Sequence, residues 1–435
     1  MIETQEKKQR FILAGIDRPA NPIDEDQSLD ELSELLKTAG GEEAGRVVQK
    51  TDAADPKLYV GKGKAEELSD MVKTLGADGV ICDDELAPAQ LQNLSDLVDT
   101  KVIDRSLLIL DIFTQRASTK EAQMQIELAQ LQYRLTRLTG LGTELSRQGA
   151  SVGLHTRGGG ETKLEIDRRR IRSRISFLKG QLKEIAKDRN NERTGRRQSG
   201  IPIVALVGYT NAGKSTLFNR LTDSDVLEED ELFATLDTTV RRAQLPDKRK
   251  VLMVDTVGFI HKLPAGLIDA FRATLEEVCE ADILLHVVDM SSPLAELQMK
   301  VTYQELIDLK AADKPIITVF NKKDLAAAAG REKGEDADKV IQLLPPIPYR
   351  PQKVLKTSAF DPDDLSAILA AVQTELEKRD TTMDLVLPFD QGALADSLHR
   401  QAVVVKEEYQ EDGLHMEVRV PPALRKRVEP YLAKE

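Results

Sequence analysis

The stretch IPIVALVGYTNAGKS spans residues 201–215. Its first seven residues form an apolar run, which is typical of a buried strand in a parallel sheet. The last eight match G-x-x-x-x-G-K-S, and the next residues, Thr216–Asn219, read as the start of a helix. In a strand–loop–helix context, this motif lets backbone N–H groups and a helix N-terminus converge on phosphates. The stretch therefore predicts an α/β domain with a phosphate-binding loop.

The residue types of this loop predict separate roles. We expect Lys214 to reach the β- and γ-phosphates of a nucleotide and the Ser215 hydroxyl to bind Mg²⁺. The rest of the loop is expected to line the nucleotide through its backbone; it consists of Gly208, Tyr209, Thr210, Asn211, Ala212, Gly213 and Thr216.

A second apolar strand, Lys250–Asp255, ends in Asp255-Thr256-Val257-Gly258. This D-x-x-G pattern is weak alone, but it follows a strand downstream of the phosphate loop. Asp255 is in the position that holds Mg²⁺, through water, and the Gly258 N–H is in the position that senses a γ-phosphate. The loops that follow these two strands are therefore predicted to form a single nucleotide site.

A third strand, Pro315–Phe320, is followed by Asn321-Lys322-Lys323-Asp324, an N-K-x-D pattern that predicts the base. The Asp324 carboxylate can accept hydrogen bonds from guanine N1–H and N2–H₂ together, whereas adenine offers neither donor there. Sites built on such pairing reject the wrong partner by about 10⁴-fold. We expect Asn321 to position the loop and the Lys322 stem to pack on the base.

A fourth element, Thr357-Ser358-Ala359, follows the short strand Lys353–Lys356, and a backbone N–H there can meet guanine O6. Together the four elements describe a GTPase of the Ras-like P-loop class. Asn211 adds the possibility that K⁺ joins Mg²⁺ as a cofactor, because GTPases with Asn at this place can recruit K⁺ beside the phosphates.

The hydrolytic step has no certain catalytic side chain in this sequence. Ras-like enzymes place a water-orienting Gln after D-x-x-G, but Phe259 stands there and cannot orient water. We therefore predict slow turnover by the isolated protein. His261 is a candidate base, although a structural role is the favoured interpretation. The threonine that closes on Mg²⁺ is one of Thr235, Thr238 and Thr239, and spacing leaves this choice open.

Charge is distributed unevenly along the 435 residues, whose net charge is −12. Residues 113–200 carry 19 basic and 9 acidic side chains, a balance of +10, whereas the segments before and after are each at −11. Such asymmetry indicates contact with a polyanion. No apolar run approaches the ~20 residues of a membrane span, and two isolated cysteines favour a reducing, cytoplasmic location.

The basic segment shows apolar residues at coiled-coil spacing in two stripes, Met124–Leu138 and Ile171–Ile185. Capping boxes at Ser118 and Thr162 predict two antiparallel helices of about 20–25 residues. The connection, Gly140 to Lys163, is predicted to be a long glycine-rich loop. A solvated face is the ordinary explanation of its charges, but RNA contact is favoured because arginine suits phosphate; the candidates are Arg147, Arg157, Arg168, Arg169, Arg170 and Arg172.

The whole chain is predicted to be α/β, with a parallel-sheet N-terminal domain, a long antiparallel helical hairpin, a Ras-like P-loop GTPase domain and a small α/β C-terminal unit. The predicted boundaries are 1–112, 113–199, 200–378 and 379–435, with a polar linker at Arg189–Gly200. Four strands alternate with three helices in the first domain. Its Gly61–Lys64 stretch reads as a tight turn before a helix, with an anion site as the weaker alternative.

This layout resembles the HflX family of ribosome-associated GTPases. The resemblance covers residues 10–378, with Tyr59–Lys64, Asp84–Leu86, Arg157–Glu165 and Asp167–Arg169 beside the nucleotide motifs. Two positions depart from the family pattern, Gly159 for Pro and Lys163 for Gln. The stretch Phe233-Ala234-Thr235-Leu236-Asp237 resembles the F-A-T-L-D switch of related GTPases, which assigns the Mg²⁺ role to Thr235.

The protein is expected to be a monomer that binds GTP and GDP. The resemblance implies that it associates with the large ribosomal subunit and its rRNA, and that it splits or rescues stalled ribosomes under stress. An ATP site has been suggested for the family's first domain, but no second Walker motif is present in this sequence. Two other functions stay open at this point. One is ribosome assembly or RNA remodelling, and the other is a GTP-sensing scaffold with a protein partner.

Overall fold

The computed structural model describes residues 8–19, 24–149, 159–222, 232–233, 235–236, 238–262, 275–328 and 351–433. The predictions for Ala234, Asp237 and Arg157 lie outside these residues. The chain divides into two compact units. The first comprises residues 1–185, 230–236 and 262–272, and the second comprises residues 186–229, 237–261 and 273–435. No helix in the described ranges is long and apolar enough to cross a membrane.

The first unit contains a parallel four-stranded sheet in the order β2-β1-β3-β4. Its strands are β1 (Arg10–Asp17), β2 (Glu42–Lys50), β3 (Gly79–Cys82) and β4 (Lys101–Asp104). The connecting helices are α1 (Glu25–Thr38), α2 (Lys62–Leu75) and α3 (Pro88–Val98), and α4 (Arg105–Arg116) follows the last strand. The predicted parallel sheet is confirmed. Helix α4, which crosses the predicted boundary at residue 112, was not predicted.

Two long helices follow, α5 (Lys120–Gly149) and α6 (Gly159–Ser199). They run antiparallel, because Glu127 pairs with Arg174 while the later Leu138 carbonyl accepts a bond from the earlier Arg168. Several details of the sequence prediction are wrong here. The helices have 30 and 41 residues, three of the predicted loop glycines lie in α5, and the predicted linker at Arg189–Gly200 is helical through Ser199.

The starts of these two helices lie close to the predicted capping residues. Helix α5 begins at Lys120, two residues after Ser118, and Thr119 Oγ1 accepts the Ala122 N–H at 3.2 Å. Helix α6 begins at Gly159, three residues before Thr162. Glycine costs a helix interior only about 1 kcal/mol relative to alanine, so the glycine-rich composition does not by itself end a long helix.

The second unit contains a six-stranded sheet in the order β10-β9-β8-β5-β7-β6, in which only β6 is antiparallel. The strands are β5 (Ile203–Gly208), β6 (Thr239–Gln244), β7 (Lys250–Asp255), β8 (Ile283–Asp289), β9 (Ile316–Asn321) and β10 (Lys353–Lys356). Helices α7 (Lys214–Thr222), α8 (Ala295–Asp308), α9 (Lys323–Ala328) and α10 (Pro362–Glu377) belong to this unit.

The chain ends in a three-stranded antiparallel sheet of order β11-β13-β12, also in the second unit. Its elements are β11 (Thr381–Leu387), α11 (Gly392–Gln401), β12 (Val403–Gln410), β13 (Gly413–Val420) and α12 (Pro422–Val428). The predicted hairpin turn at Glu411–Gly413 joins β12 to β13. The predicted last helix is shorter than expected, because a 3₁₀ turn, Glu429–Tyr431, replaces its end.

Candidate nucleotide site

The phosphate-binding loop lies where β5 ends and α7 begins, as predicted. Two of its glycines are required by the backbone. Gly208 has φ +152°, and a Cβ there would lie 2.2 Å from the Val287 carbonyl oxygen. Gly213 has φ +89°, and a Cβ there would lie 2.3 Å from Asn321 Nδ2. The motif glycines therefore allow both a left-handed turn and close approach of the neighbouring loops.

Lys214 is buried at the first position of α7, and its Nζ donates to the Tyr209 carbonyl oxygen at 2.8 Å. Burial lowers the pKa of Lys214 to about 8, and the negative charge of Asp255 partly opposes this shift. A triphosphate beside Nζ would favour the charged ammonium. Binding of an anion beside Lys214 would therefore raise the pKa of its amino group.

Asp255 is fully buried at the end of β7. Thr256 is also buried, and its Oγ1 donates to the Leu206 carbonyl oxygen at 2.6 Å, which fixes β7 to β5. Gly258 packs on the phosphate loop, because a Cβ there would lie 2.6 Å from Thr210 Cα and 2.9 Å from Lys214 Nζ. The D-x-x-G residues and the phosphate loop therefore form one structural site.

Oxygen donors at this site suit Mg²⁺. The Ser215 hydroxyl lies half-buried at the second residue of α7, and Asp255 supplies a buried carboxylate. Within the described ranges, no group of three or more His, Cys, Asp or Glu side chains that could hold a metal ion is found. Mg²⁺ needs none, because it is commonly held by one or two protein oxygens together with substrate phosphates and water. Ser215 and Asp255 would hold the ion and help to neutralise phosphate charge.

The N-K-x-D loop is bonded to the phosphate loop. Asn321 is buried, and its Nδ2 donates to the Ala212 carbonyl oxygen at 3.1 Å. Lys322 Nζ donates to the Asn211 carbonyl oxygen at 2.9 Å and lies 2.9 Å from an Asp289 carboxylate oxygen. The polar ends of Asn321 and Lys322 therefore position the loop. Asp324 remains exposed at the second residue of α9.

The hydrogen bonds of the Thr357–Ala359 loop indicate which of its backbone N–H groups can donate to guanine O6. The Ser358 N–H already donates to an Asp364 carboxylate oxygen at 2.7 Å. Within the described residues, the N–H of Ala359 has no such partner. Lys323 forms ion pairs with Asp361 and Asp364, which adjoin this loop. Ala359 is therefore the better candidate donor for guanine O6.

Three described residues of the predicted nucleotide site, Phe233, Thr235 and Leu236, lie in the first unit. Phe233, at φ +59°, is buried and packs edge-to-face on Phe113 of α4, with ring centroids 4.6 Å apart. Thr235, the candidate Mg²⁺ ligand, belongs to the same short stretch and is half-buried. The Phe233 anchor was not predicted, because an aromatic contact over 120 residues leaves no local pattern in the sequence.

The candidate RNA residues separate into two groups. Arg168 is half-buried and bonds to the Leu138 carbonyl oxygen at 2.6 Å, so it joins the two helices. Arg169, Arg170 and Arg172 are exposed, and Arg170 lies 4.0 Å from Asp167. Among the residues that the structure describes, Arg169 and Arg172 have no carboxylate partner. Arg147 lies in α5.

A cavity of about 990 Å³ lies elsewhere in the second unit, at the amino-terminal edge of the six-stranded sheet. Its lining includes Ile203, Lys250, Asp282 and Pro315, which stand at or just before the starts of four strands. Nucleotides bind at the carboxyl ends of parallel strands in such sheets. This cavity is therefore distinct from the phosphate-binding loop.

Three family models match successive parts of the chain. They are a GTP-binding GTPase N-terminal region over residues 26–114, a GTP-binding GTPase middle region over residues 116–196, and a 50S ribosome-binding GTPase over residues 203–322. Their order agrees with the order of the first sheet, the helical hairpin and the nucleotide-binding sheet.

Curated relatives extend over nearly the full chain. The GTPase HflX of Lacrimispora saccharolytica is 44% identical over 424 residues, which are 98% of this chain and 96% of that protein. The GTPase HflX of Escherichia coli K12 is 40% identical over 396 residues, or 91% and 90% of the two chains. A solved GTP-binding protein from Sulfolobus solfataricus in complex with GDP is 24% identical, with a TM-score of 0.43 over 84% of this chain and 98% of that one.

Proposed function

Because the chain belongs to the HflX family and is a P-loop GTPase, we propose that it binds the large ribosomal subunit and uses GTP to split or rescue stalled ribosomes. The matched description of residues 203–322 as a 50S ribosome-binding GTPase supports the partner. This role would place the protein in the cytoplasm, where ribosomes work, and a monomer suffices for it. The GTPase class was predicted from four sequence motifs and is confirmed.

The observation that carries the proposal is the exposed arginine face of α6. Arg169, Arg170 and Arg172 are exposed, whereas Arg168 and Arg174 are engaged with α5. Among the described residues, Arg169 and Arg172 have no carboxylate partner, and arginine suits phosphate because its planar fork binds two oxygens at once. A helical pair of this length presents them about 15–20 Å from the start of α6, at 1.5 Å per residue. This face is therefore suited to contact with structured RNA.

Hydrolysis on this proposal needs the ribosome. Mg²⁺, held by Ser215, Asp255 and Thr235, would neutralise charge on the phosphates. Lys214 would stabilise the β- and γ-phosphates, and Asp324 with Ala359 would select guanine. Phe259 supplies no donor or acceptor for water, so the alignment would come from rRNA or from rearrangement of the loops. K⁺ beside Asn211 remains a prediction.

The test is sedimentation of the protein with purified large subunits in the presence of GTP, a non-hydrolysable GTP analogue or GDP. Arg169→Gln combined with Arg172→Gln should weaken binding and lower the slope of log affinity against log salt by roughly two. The matched control is Lys179→Gln with Lys183→Gln, which removes the same charge from exposed positions further along α6. The control should bind as the unchanged protein does.

Light scattering of intact ribosomes then separates splitting from simple binding. GTP with the unchanged protein should dissociate ribosomes into subunits, and the arginine double variant should not. Equal loss of binding in both double variants would contradict a specific contact between Arg169 or Arg172 and RNA. Tight binding to free subunits without any splitting of intact ribosomes would instead favour a role in subunit assembly.

A further inference from the structure

The cavity of about 990 Å³ in the second unit is bounded by two parts of that unit. One wall is the amino-terminal edge of the six-stranded sheet, and the other includes the end of α11 and the start of α12. Small-molecule sites occur preferentially where two packed parts meet, and they have volumes of roughly 300–1,000 Å³. The size and the place of this cavity therefore suit a small ligand.

Two acidic side chains of the cavity lining are already paired with arginine. Asp380, which follows α10, lies 2.6 Å from Arg249 Nη1, and these side chains are 2% and 7% exposed. Asp282, which precedes β8, lies 2.8 Å from Arg379 Nη1. Arg249 also pairs with Asp247, which does not line the cavity. The charge that is open to a ligand must therefore come from other side chains.

Three basic residues of the lining belong to the β6–β7 hairpin. Strand alternation places Arg242 and Lys250 on the face opposite the core residues Ala243 and Val251. Lys248 lies in the turn between the two strands, at φ +70°. All three are exposed, and none of them has a carboxylate partner within the described residues. We call Arg242, Lys248 and Lys250 the cationic rim.

Other charged residues of the lining do not cancel the cationic rim. Lys314, before β9, donates from Nζ to a backbone carbonyl oxygen at 2.7 Å, and in the part of the chain that is described it has no carboxylate partner. Arg400 pairs with Asp396. The remaining acids of the lining are Glu280, which is half-buried, and Asp313, which is exposed. The cavity is therefore locally basic, although residues 201–435 as a whole carry a balance of −11.

Arg249 has an unused donor in this lining. Its Nε and Nη1 donate to Asp247 and Asp380, each at 2.6 Å, whereas its buried Nη2 has no hydrogen-bond partner within the described residues. Buried polar groups are normally hydrogen-bonded, and a guanidinium is a preferred donor to phosphate oxygens. An anionic acceptor bound on the Arg249 side of the cavity would satisfy this donor.

We propose that this cavity binds a small ligand that carries phosphate groups, at the opposite edge of the sheet from the phosphate-binding loop. The cationic rim and Lys314 neutralise its charge, and Arg249 Nη2 donates to a phosphate oxygen. Several basic side chains around one cavity suit the multiple charges of phosphate groups better than the single charge of a carboxylate. The cavity is bounded by both the sheet and the C-terminal helices, which suits a small molecule better than an extended nucleic acid. This site is separate from the GTPase activity and from the ribosomal role.

The test is titration calorimetry of the full chain with inorganic pyrophosphate. The protein is first saturated with GDP, so that the phosphate-binding loop is already occupied. Lys248→Gln combined with Lys250→Gln should raise the dissociation constant for pyrophosphate roughly tenfold, because two charged contacts are lost. Both lysines are exposed, so this double variant should fold and bind GDP as the unchanged protein does.

Lys300→Gln combined with Lys406→Gln is the matched control, because it removes the same charge from exposed positions of the second unit that do not line the cavity. Its dissociation constant for pyrophosphate should stay within about twofold of the original. Arg169→Gln with Arg172→Gln should also leave pyrophosphate binding unchanged, so this proposal and ribosome binding can fail independently. Citrate is titrated as a second probe, and binding of citrate as tight as that of pyrophosphate would overturn the assignment of phosphate.

Cys279 supplies a second readout because it lines the cavity. The other cysteine of the chain, Cys82, is fully buried. Pyrophosphate should slow the alkylation of Cys279 by N-ethylmaleimide, with a half-maximal concentration that matches the calorimetric dissociation constant and rises in the double variant of the cationic rim. No saturable binding, equal weakening in both lysine double variants, or an alkylation rate that pyrophosphate does not change would overturn the proposal.

Discussion

Phe259 is joined to Tyr209 in a parallel β-bridge, in which the Phe259 N–H donates to the Gly208 carbonyl oxygen at 3.1 Å and the Thr210 N–H donates to the Phe259 carbonyl oxygen at 2.8 Å. The Phe259 side chain is 2% exposed. The residue at the place of the water-orienting Gln is thus an anchored core residue. Its burial explains why an apolar side chain stands there.

We predict that Phe259→Gln does not restore fast hydrolysis. The amide would be buried in an apolar setting, and an unsatisfied polar group of this kind costs about 1–3 kcal/mol. Single-turnover GTP hydrolysis by the free protein should stay slow, and the free energy of unfolding should fall. Phe259→Leu is the control, because it keeps an apolar side chain and should cost less than about 1.5 kcal/mol. A rise in hydrolysis of tenfold or more with Gln would contradict this account.

GTP affinity should depend on pH through Lys214, whose pKa burial lowers to about 8. Bound phosphates favour the ammonium and raise the pKa in the complex. Below pH 8 both states carry the proton, so affinity is flat. Above pH 8 only the complex keeps it, so affinity falls by up to about tenfold per pH unit. Titration calorimetry between pH 7 and 9 measures this dependence.

Lys214→Arg is the control for that pH dependence. The guanidinium stays charged throughout the range, so any remaining dependence belongs to the nucleotide itself. The difference between the two proteins isolates the lysine. Equal slopes for lysine and arginine would show that Lys214 is already fully charged before the nucleotide binds.

Asp104 should be essential for the stability of the first unit. It is fully buried at the end of β4 and accepts four hydrogen bonds, from the Leu86 and Leu107 N–H groups, from Tyr133 Oη at 2.9 Å and from Arg137 Nη2 at 2.6 Å. Asp104→Ala should lower the free energy of unfolding by about 3–5 kcal/mol, because the Arg137 charge loses its partner. Urea denaturation followed by circular dichroism measures the loss.

The control for Asp104 is Asp111→Ala, an exposed acid on α4 that should change stability by no more than about 0.5 kcal/mol. Tyr133→Phe should fall between the two, at about 1 kcal/mol, because it removes one neutral donor. If Asp104→Ala were as mild as Asp111→Ala, the four hydrogen bonds would contribute little to attachment of α5.

The nucleotide-binding strands and loops could be predicted from the sequence because their information is local. An apolar run that ends in G-x-x-x-x-G-K-S, D-x-x-G or N-K-x-D defines both the strand and the loop after it. Strand β6 was missed, because Thr239–Gln244 has a half-exposed edge position and little apolar content. Helix α4 was missed because a short apolar run such as Leu107–Ile112 fits a strand or a helix equally well.

Contacts between distant residues could not be predicted in the same way. Lys262 and Asp83 are 179 residues apart, and neither shows a local pattern that names its partner. Arg168 and Arg169 are neighbours of the same type, yet one joins two helices and the other is exposed. The assignment of Ala359 rather than Ser358 to guanine O6 also depends on a tertiary bond, from Ser358 to Asp364.

Base selection gives the most direct test of the nucleotide site. Asn321 and Lys322 hold this loop by hydrogen bonds to the phosphate loop, whereas Asp324 is exposed. The Asp324 carboxylate is therefore available to bind a base. Asp324→Asn replaces one acceptor oxygen by an NH₂ group that faces a guanine donor. Affinity for GTP should fall by at least about a hundredfold, and affinity for XTP, whose base carries a carbonyl at C2, should rise.

Lys323→Gln is the matched control for Asp324→Asn, because it changes the adjacent residue in the same loop. Lys323 forms ion pairs with Asp361 and Asp364, at 2.9 and 2.5 Å. Its replacement should leave the ratio of GTP to XTP affinity unchanged, even if stability falls slightly. Competition of labelled GTP by unlabelled GTP, XTP and ATP measures all three affinities for each protein. Unaltered preference for GTP in Asp324→Asn would mean that another group reads the guanine N1–H and N2–H₂ edge, and the assignment of Asp324 would be wrong.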